Sequence, residues 1–318
     1  MMNDIDYGRD REKKHMDKVC IMMSTYNGEM FLPEQLDSLL GQRGVDIEIY
    51  IRDDGSTDLT RDIIKKYIGK HANIHFTDGV NLGPGRSFWE LLRSVPEYDY
   101  YAFCDQDDVW MPEKLKRGVD HIKSAGNRPG LYYSRTHIVN SDMQELKSYD
   151  SDYKKRIPSF GQLIAENNAS GCTMVWNDGL HSIARRLLPE HMRMHDHMLY
   201  LICQACDGYV YYDRKSYISY RQHESNVVSG RDDFCKYIAS VLRYLKEDSN
   251  LANQGIELLK ISRKKLDPSK RKLLKRIRWY KEEHTMESRI YLIRSGFYRQ
   301  RSAVKNLMLG MMILIGRF

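Results

Sequence analysis

Three carboxylates, Asp105, Asp107 and Asp108, fall within four residues directly after the apolar run Tyr100–Cys104. Carboxylate oxygens suit hard divalent ions, and Mg²⁺ or Mn²⁺ is commonly held by one or two of them together with substrate phosphates. Acids this close repel one another, so the cluster is costly unless a cation shares it. A solvated acidic loop has the same composition, but the flanks differ here. An apolar strand feeds the cluster, and Trp110-Met111-Pro112-Glu113-Lys114-Leu115 opens a helix after it.

Two further stretches end apolar runs in the same way. In Asp53-Asp54-Gly55-Ser56 a carboxylate can accept from a pyrimidine N3–H or a ribose hydroxyl, although the same residues make an ordinary turn and helix cap. Ser24-Thr25-Tyr26-Asn27-Gly28 offers backbone groups and an aromatic ring to a base. Gly83-Pro84-Gly85-Arg86 is either a plain turn or a way to bring a guanidinium to a diphosphate. The chain has no GxxxxGK[ST] and no GxGxxG, so neither a P-loop ATPase nor a dinucleotide dehydrogenase is supported. Cys203-Gln204-Ala205-Cys206 lacks a second Cys pair or a spaced His pair, and reads as small residues near a helix end.

These clusters need a frame that brings them together. Short apolar runs at 19–23, 47–51, 74–76 and 100–104 predict strands. Apolar residues at helical spacing predict helices at 31–40, up to about 68, and at 87–93. Strands alternating with helices predict βαβ units and a largely parallel sheet, with the polar clusters at the strand ends where open α/β sheets bind ligands. The second half is less regular: 131–139 reads as one long strand or a pair, 171–176 as a strand and 196–206 as a helix. Strands at 209–212 and 217–220 flank Asp213-Arg214-Lys215, and the chain from 232 onward reads as helical.

At 318 residues the chain allows one large domain or two modest ones. Its 42% hydrophobic and 29% charged residues fit a globular protein, and the polar leader 1–17 has no apolar segment of a secretory signal. No run approaches the roughly 18 apolar residues of a spanning helix. Six cysteines are too sparse for a disulfide scaffold and fit free thiols in a cytoplasmic protein. The net charge of +7 is uneven: residues 231–318 carry 21 basic and 9 acidic side chains, leaving 29 and 34 in residues 1–230. A mildly acidic body argues against a nucleic-acid partner. The basic, partly apolar tail suits an anionic membrane surface, a homo-oligomer contact or a solvated helical face. The short apolar segment 307–315 is expected to lie in a membrane interface or pack on the body.

The strings VCIMMSTYNGEMFLPEQLDSLLGQ, IEIYIRDDGSTD, NLGPGRSF and YYAFCDQDDVWMPEKL, in that order, resemble the family 2 glycosyltransferases, and most closely their bacterial rhamnosyltransferase-type branch. The resemblance covers about residues 18–230. It implies an α/β GT-A fold, with a nucleotide-sugar-binding half at 18–115, an acceptor-binding half at 116–230 and a basic helical extension at 231–318. By position it places Thr25 and Tyr26 in the nucleotide pocket and Asp54 on the base; Asn27 and Arg86, from the loops read above, are further candidates for binding the nucleotide-sugar. It makes Asp105 and Asp107 the DxD element, with Asp107 a direct ligand of Mn²⁺ or Mg²⁺ and Asp105 facing the ribose or the metal.

Met194-His195-Asp196-His197 resembles the branch's HDxW-like element, which makes Asp196 the catalytic base, although His197-Met198 stands where an apolar or aromatic residue is common. Tyr220-Arg221-Gln222-His223-Glu224-Ser225-Asn226 resembles the YRxHxxN element, whose His (here His223) completes the metal or the diphosphate site. The implied activity is inverting transfer from a dTDP- or UDP-linked sugar to a glycan or lipid-linked acceptor in bacterial surface polysaccharide synthesis. Two other classes share parts of this pattern: a non-catalytic nucleotide-sugar-binding module, and a sugar nucleotidyltransferase, which expects a glycine-rich phosphate loop where STYNG stands.

Overall fold

A computed structural model describes residues 16–146, 157–222, 250–300 and 302–318. In chain order its strands are β1 (Lys18–Thr25), β2 (Asp46–Asp53), β3 (Ile74–Asp78), β4 (Tyr100–Cys104), β5 (Val109–Trp110), β6 (Gly130–Val139), β7 (Val175–Asn177) and β8 (Tyr209–Arg221). The helices are α1 (Leu32–Leu40), α2 (Thr60–Ile68), α3 (Pro84–Ser94), α4 (Lys114–Ile122), α5 (Phe160–Ala165), α6 (Asp178–Ala184), α7 (His195–Ala205), α8 (Leu251–Glu257), α9 (Pro268–Glu283), α10 (Met286–Arg294) and α11 (Ala303–Leu314).

The strands form one sheet in the order β3-β2-β1-β4-β7-β6-β8-β5. β1 and β4 are apolar along nearly their whole length because both faces of the sheet are covered, as parallel strands require. β1 pairs in parallel with β2 and β4, and β2 with β3. Their carboxyl ends therefore share one edge, with Thr25 beside Asp53 and Met23 beside Cys104. This register gathers the three polar clusters.

Successive residues of β1 and β4 point to opposite layers. Val19, Ile21, Met23, Ala102 and Cys104 pack under α1, α2 and α4, while Cys20, Met22, Tyr101 and Phe103 pack under α3, α6 and α7. α7 is buried along all eleven residues, so its sequence shows no polar face. The C-terminal helices extend this second layer. Leu274, Ile277, Tyr280, Leu292, Met312 and Ile313 join the core that holds Leu163 and Ile164 of α5. The apolar end of the chain thus packs one side of α11 on the body, while Val304, Leu307, Met311 and Leu314 stay exposed.

Residues 18–104 follow the alternation expected from sequence, and the chain beyond departs from it in four places. Residues 171–173 form a 3₁₀ turn rather than a strand, and β7 begins only at Val175. The two strands expected at 209–220 are one, β8, which runs parallel to β6 and absorbs the polar Asp213-Arg214-Lys215 through register shifts around Arg135. Trp110 belongs to the short strand β5, antiparallel to β8, and the helix starts at Lys114. α5 and α6 carried no clear periodic signal. They begin at side-chain caps, Ser159 with Gln162 in a capping box and Asn177 to Leu180 N–H.

Candidate active site

The end of β4 runs straight into the acidic cluster. Asp105 is partly buried and Asp108 fully buried, and their carboxylate oxygens lie within 4.8 Å of each other and of the Cys172 sulfur. Asp108 accepts from the Arg221 N–H at 3.3 Å, and its Oδ2 has no partner among the described residues. The buried Lys114 Nζ has none either; it sits 3.5 Å from the Trp110 ring centre, within electrostatic reach of Asp105 and Asp108. An orphaned carboxylate oxygen beside a second carboxylate is a donor set that fits a hard cation.

The electrostatics match that reading. Burial first, then the charges of Asp107 and Asp196, push the Asp105 carboxyl up to about 7. Asp108 is driven well above the carboxylate range by burial and then by Asp105 and Asp107. The Cys172 thiol is pushed up by burial and then by Asp108 and Asp105, so it stays protonated rather than acting as a thiolate. Lys114 is pulled down to about 8 by burial.

Arg221, the last residue of β8, ties this loop to the fold. Its Nε donates to the Asp107 carbonyl at 2.9 Å, its Nη1 to the Ser141 carbonyl at 2.6 Å and its Nη2 to Glu34, and the guanidinium lies 4.5 Å from the Phe31 ring. Gln106 ties it to the first loop: Oε1 accepts from the Tyr26 N–H at 2.9 Å and Nε2 donates to the Tyr26 carbonyl at 3.0 Å. A Cβ on Gly28 would meet the Gln106 side chain at 2.3 Å, so a larger residue there would displace the Gln106 amide from its two bonds to Tyr26.

The residues expected to face the nucleotide gather around the ends of β1 and β2, with Arg86 on α3. Thr25 is buried and donates to Asp53 at 3.0 Å; Tyr26 is half exposed; Asn27 takes a left-handed φ of 47° and its Oδ1 accepts from the Thr57 N–H. Asp53 gathers Thr25, Ser56 and Arg61, and these bonds hold its carboxyl below its usual range against the opposing effect of burial. Asp54 is buried, pairs with Arg52 and accepts from the Leu82 and Gly83 N–H groups, both at 2.9 Å. Arg86 is exposed in the first turn of α3.

Asp196 is on the first turn of α7, with Oδ2 accepting from the Gly171 N–H at 3.1 Å and Oδ1 from the His197 N–H at 2.6 Å. Burial raises its carboxyl to about 6 despite these bonds. Gly171 and Cys172 are consecutive, so one 3₁₀ turn touches both Asp196 and the acidic cluster, and the charge of Asp196 is felt at Asp105. Asp105, Asp107 and Asp196 therefore share one site; His223 lies outside the described residues. His195 is packed between Phe88 and Phe103 and held neutral by burial, its pKa lowered to about 3.

Sequence reasoning counted Asp108 in the acidic cluster without giving it a ligand role of its own, and passed over Lys114, Arg221 and Cys172. Lys114 and Arg221 stood inside the motifs already singled out. Cys172 carried no signal, because only the 3₁₀ turn brings it to the acids.

A mixed, mostly parallel sheet with a carboxylate cluster at the tip of a central strand is the arrangement of a GT-A type of glycosyltransferase fold. The sequence profile described as "Glycosyl transferase family 2" matches residues 20–182, and the chain belongs to that family of enzymes. It is 30% identical over 252 residues to the dTDP-rhamnosyl transferase RfbG of Shigella flexneri, covering 73% of this chain and 83% of that one. The fold resembles S. aureus TarS 1-349 in complex with UDP-GlcNAc (TM-score 0.51, 18% identity, 94% of this chain and 91% of that one). It also resembles the mannosyltransferase PcManGT of Pyrobaculum calidifontis in complex with GDP-Man and Mn2+ (TM-score 0.53, 14% identity, 96% and 82%). Family membership sets aside the nucleotidyltransferase and the non-catalytic module. Among the described residues no helix is long and apolar enough to cross a membrane.

Proposed function

We propose that this enzyme moves a rhamnosyl or related deoxyhexosyl unit from a dTDP- or UDP-linked donor to a glycan or lipid-linked acceptor of bacterial surface polysaccharide, with inversion and with Mn²⁺ or Mg²⁺. The observation that carries the reading is the Gly171–Thr173 turn, which sets Asp196 and the acidic cluster side by side. Asp105 and Asp108 supply oxygens for the cation, with Asp107 and His223 as further candidates by resemblance. The bound cation would neutralise charge growing on the departing diphosphate.

Asp196 takes the proton of the acceptor hydroxyl as that oxygen bonds to the anomeric carbon. The bond from this carbon to the diphosphate oxygen breaks on the opposite side, so one displacement inverts the centre. Thr25, Tyr26, Asn27 and Asp54 face the nucleoside, and Arg86 approaches the diphosphate. Because Asp54 is already engaged by Arg52 and two N–H groups, base recognition by its carboxylate requires an exchange of partners. The rhamnosyl preference rests on the RfbG relationship.

The test is product analysis with a panel of nucleotide-sugars and Mn²⁺. Free nucleoside diphosphate from dTDP-rhamnose in preference to UDP-hexoses, with an inverted linkage by NMR, is the expected result. Turnover of UDP-hexoses alone would reassign the donor, and a retained linkage would remove the single displacement.

For location we propose the cytoplasmic face of an anionic membrane. Val304, Leu307, Met311 and Leu314 recur at i, i+3, i+7 and i+10 along α11, are 39% to 66% exposed, and belong to a chain segment rich in Lys and Arg. In liposome flotation, wild type should float with anionic vesicles and L307E/M311E should stay at the bottom. Equal recovery with neutral and anionic vesicles would remove the electrostatic part, and a salt-stable dimer lost in the variant would assign the face to self-association.

A further inference from the structure

His197 stands beside the proposed base at the open position of the HDxW-like element, and its contacts admit one arrangement of protons. It is buried, with Nε2 2.6 Å from the Leu163 carbonyl of α5 and Nδ1 2.9 Å from Gln254 Nε2 of α8. A carbonyl only accepts, so His197 carries its proton on Nε2 and Nδ1 must accept. Gln254, with no exposed surface, has its Oε1 taken by the Arg193 N–H at 2.8 Å, so its amide nitrogen faces His197 and donates. These bonds fix one orientation of both side chains, and burial keeps His197 neutral with its pKa lowered to about 4. Glu257, one turn along α8, adds an acceptor for the His191 N–H at 3.1 Å.

The strand-like lead into α7 is thus held from both sides: α5 holds its first turn through His197, and α8 holds the preceding backbone through Gln254. Between these anchors sits Asp196, and the His197 N–H donates directly to its carboxylate. We propose that His197 and Gln254 are positioning residues, a polar clasp by which the C-terminal region sets the orientation of the Asp196 carboxylate; the proposal rests on Asp196 being the base. A side chain misplaced by about 1 Å from its productive geometry can lower a rate by up to about 100-fold. Removing one partner of a buried pair leaves the other unsatisfied and free to drag the turn.

The test compares Q254L, D196N and the double variant on full-length enzyme, reading kcat, donor KM and Tm. Q254L should lower kcat about ten-fold or more with donor KM within two-fold, and should cost nothing further in the D196N background. Q254E, which keeps an acceptor for the Arg193 N–H but sets a second acceptor against His197 Nδ1, should fail to restore the rate. An unchanged kcat in folded Q254L, or an equal loss with and without Asp196, would overturn the clasp while the base assignment stands. Full activity in D196N would remove both. If Q254L does not fold, H197F opens the clasp from the helix side and is judged by the same outcomes.

Discussion

Asp196→Asn is expected to lower kcat by about 10²- to 10⁴-fold, the usual contribution of a positioned general base, while donor affinity stays within two-fold. Asparagine can still accept from the Gly171 or His197 N–H, so the turn should keep its shape and the loss should be chemical. The same assignment fixes the pH dependence. A base must be ionised to accept a proton, and burial places the Asp196 carboxyl near 6, so kcat should fall about ten-fold per unit below pH 6 and level off above it. Steady-state rates from pH 5 to 8 check both points. A flat profile, or a variant whose defect is weaker donor binding, would transfer the role of base to another group.

Asp105→Asn should produce the second large effect, and in two opposite directions. Loss of one carboxylate should remove the Tm increase that Mn²⁺ gives and lower kcat about 10²- to 10³-fold, the usual cost of losing a charge-stabilising group. The cation-free protein should nevertheless become more stable. The folded-state carboxyl of Asp105 is raised to about 7, so folding favours its protonated form, and that favourable term fades as pH rises from about 4 to 7. In EDTA, wild type should therefore lose Tm between pH 5 and pH 8 more steeply than the variant. Differential scanning fluorimetry across that range, with and without Mn²⁺, reads both. An identical Mn²⁺ response in the variant would detach Asp105 from the metal.

The contrast between what the sequence revealed and what it concealed follows from the physics of the two halves. In residues 18–104 each strand is a short apolar run closed by a turn, and parallel pairing then forces Thr25, Asp53 and the acidic cluster to one edge. Local pattern and global topology agree there. The second half depends on contacts far apart in sequence. Nothing near Cys172 shows that a 3₁₀ turn will press it against acids more than sixty residues earlier. Arg221 reads as one basic residue among many until β8 is laid beside β5 and its side chain meets the Asp107 carbonyl. Lys114 has the look of a surface lysine on a new helix, yet it is wholly buried because the acids across from it offset part of the cost of burying its charge. The basic C-terminal segment was legible as helical and amphipathic. Its role as a wall of the core, and the reach of Gln254 to the Asp196 turn, come only from tertiary packing.

The borders of the sheet have a consequence for handling the protein. The outermost strands, β3 and β5, are five and two residues long, and β5 pairs with only two of the thirteen residues of β8. Unpaired backbone at a sheet margin is what recruits further chains into extended ribbons, and among the described residues most of the outer margin of β8 has no strand beside it. Concentrated solutions needed for crystallisation or NMR should consequently be prone to strand-to-strand association along β8, which detergents cannot mask.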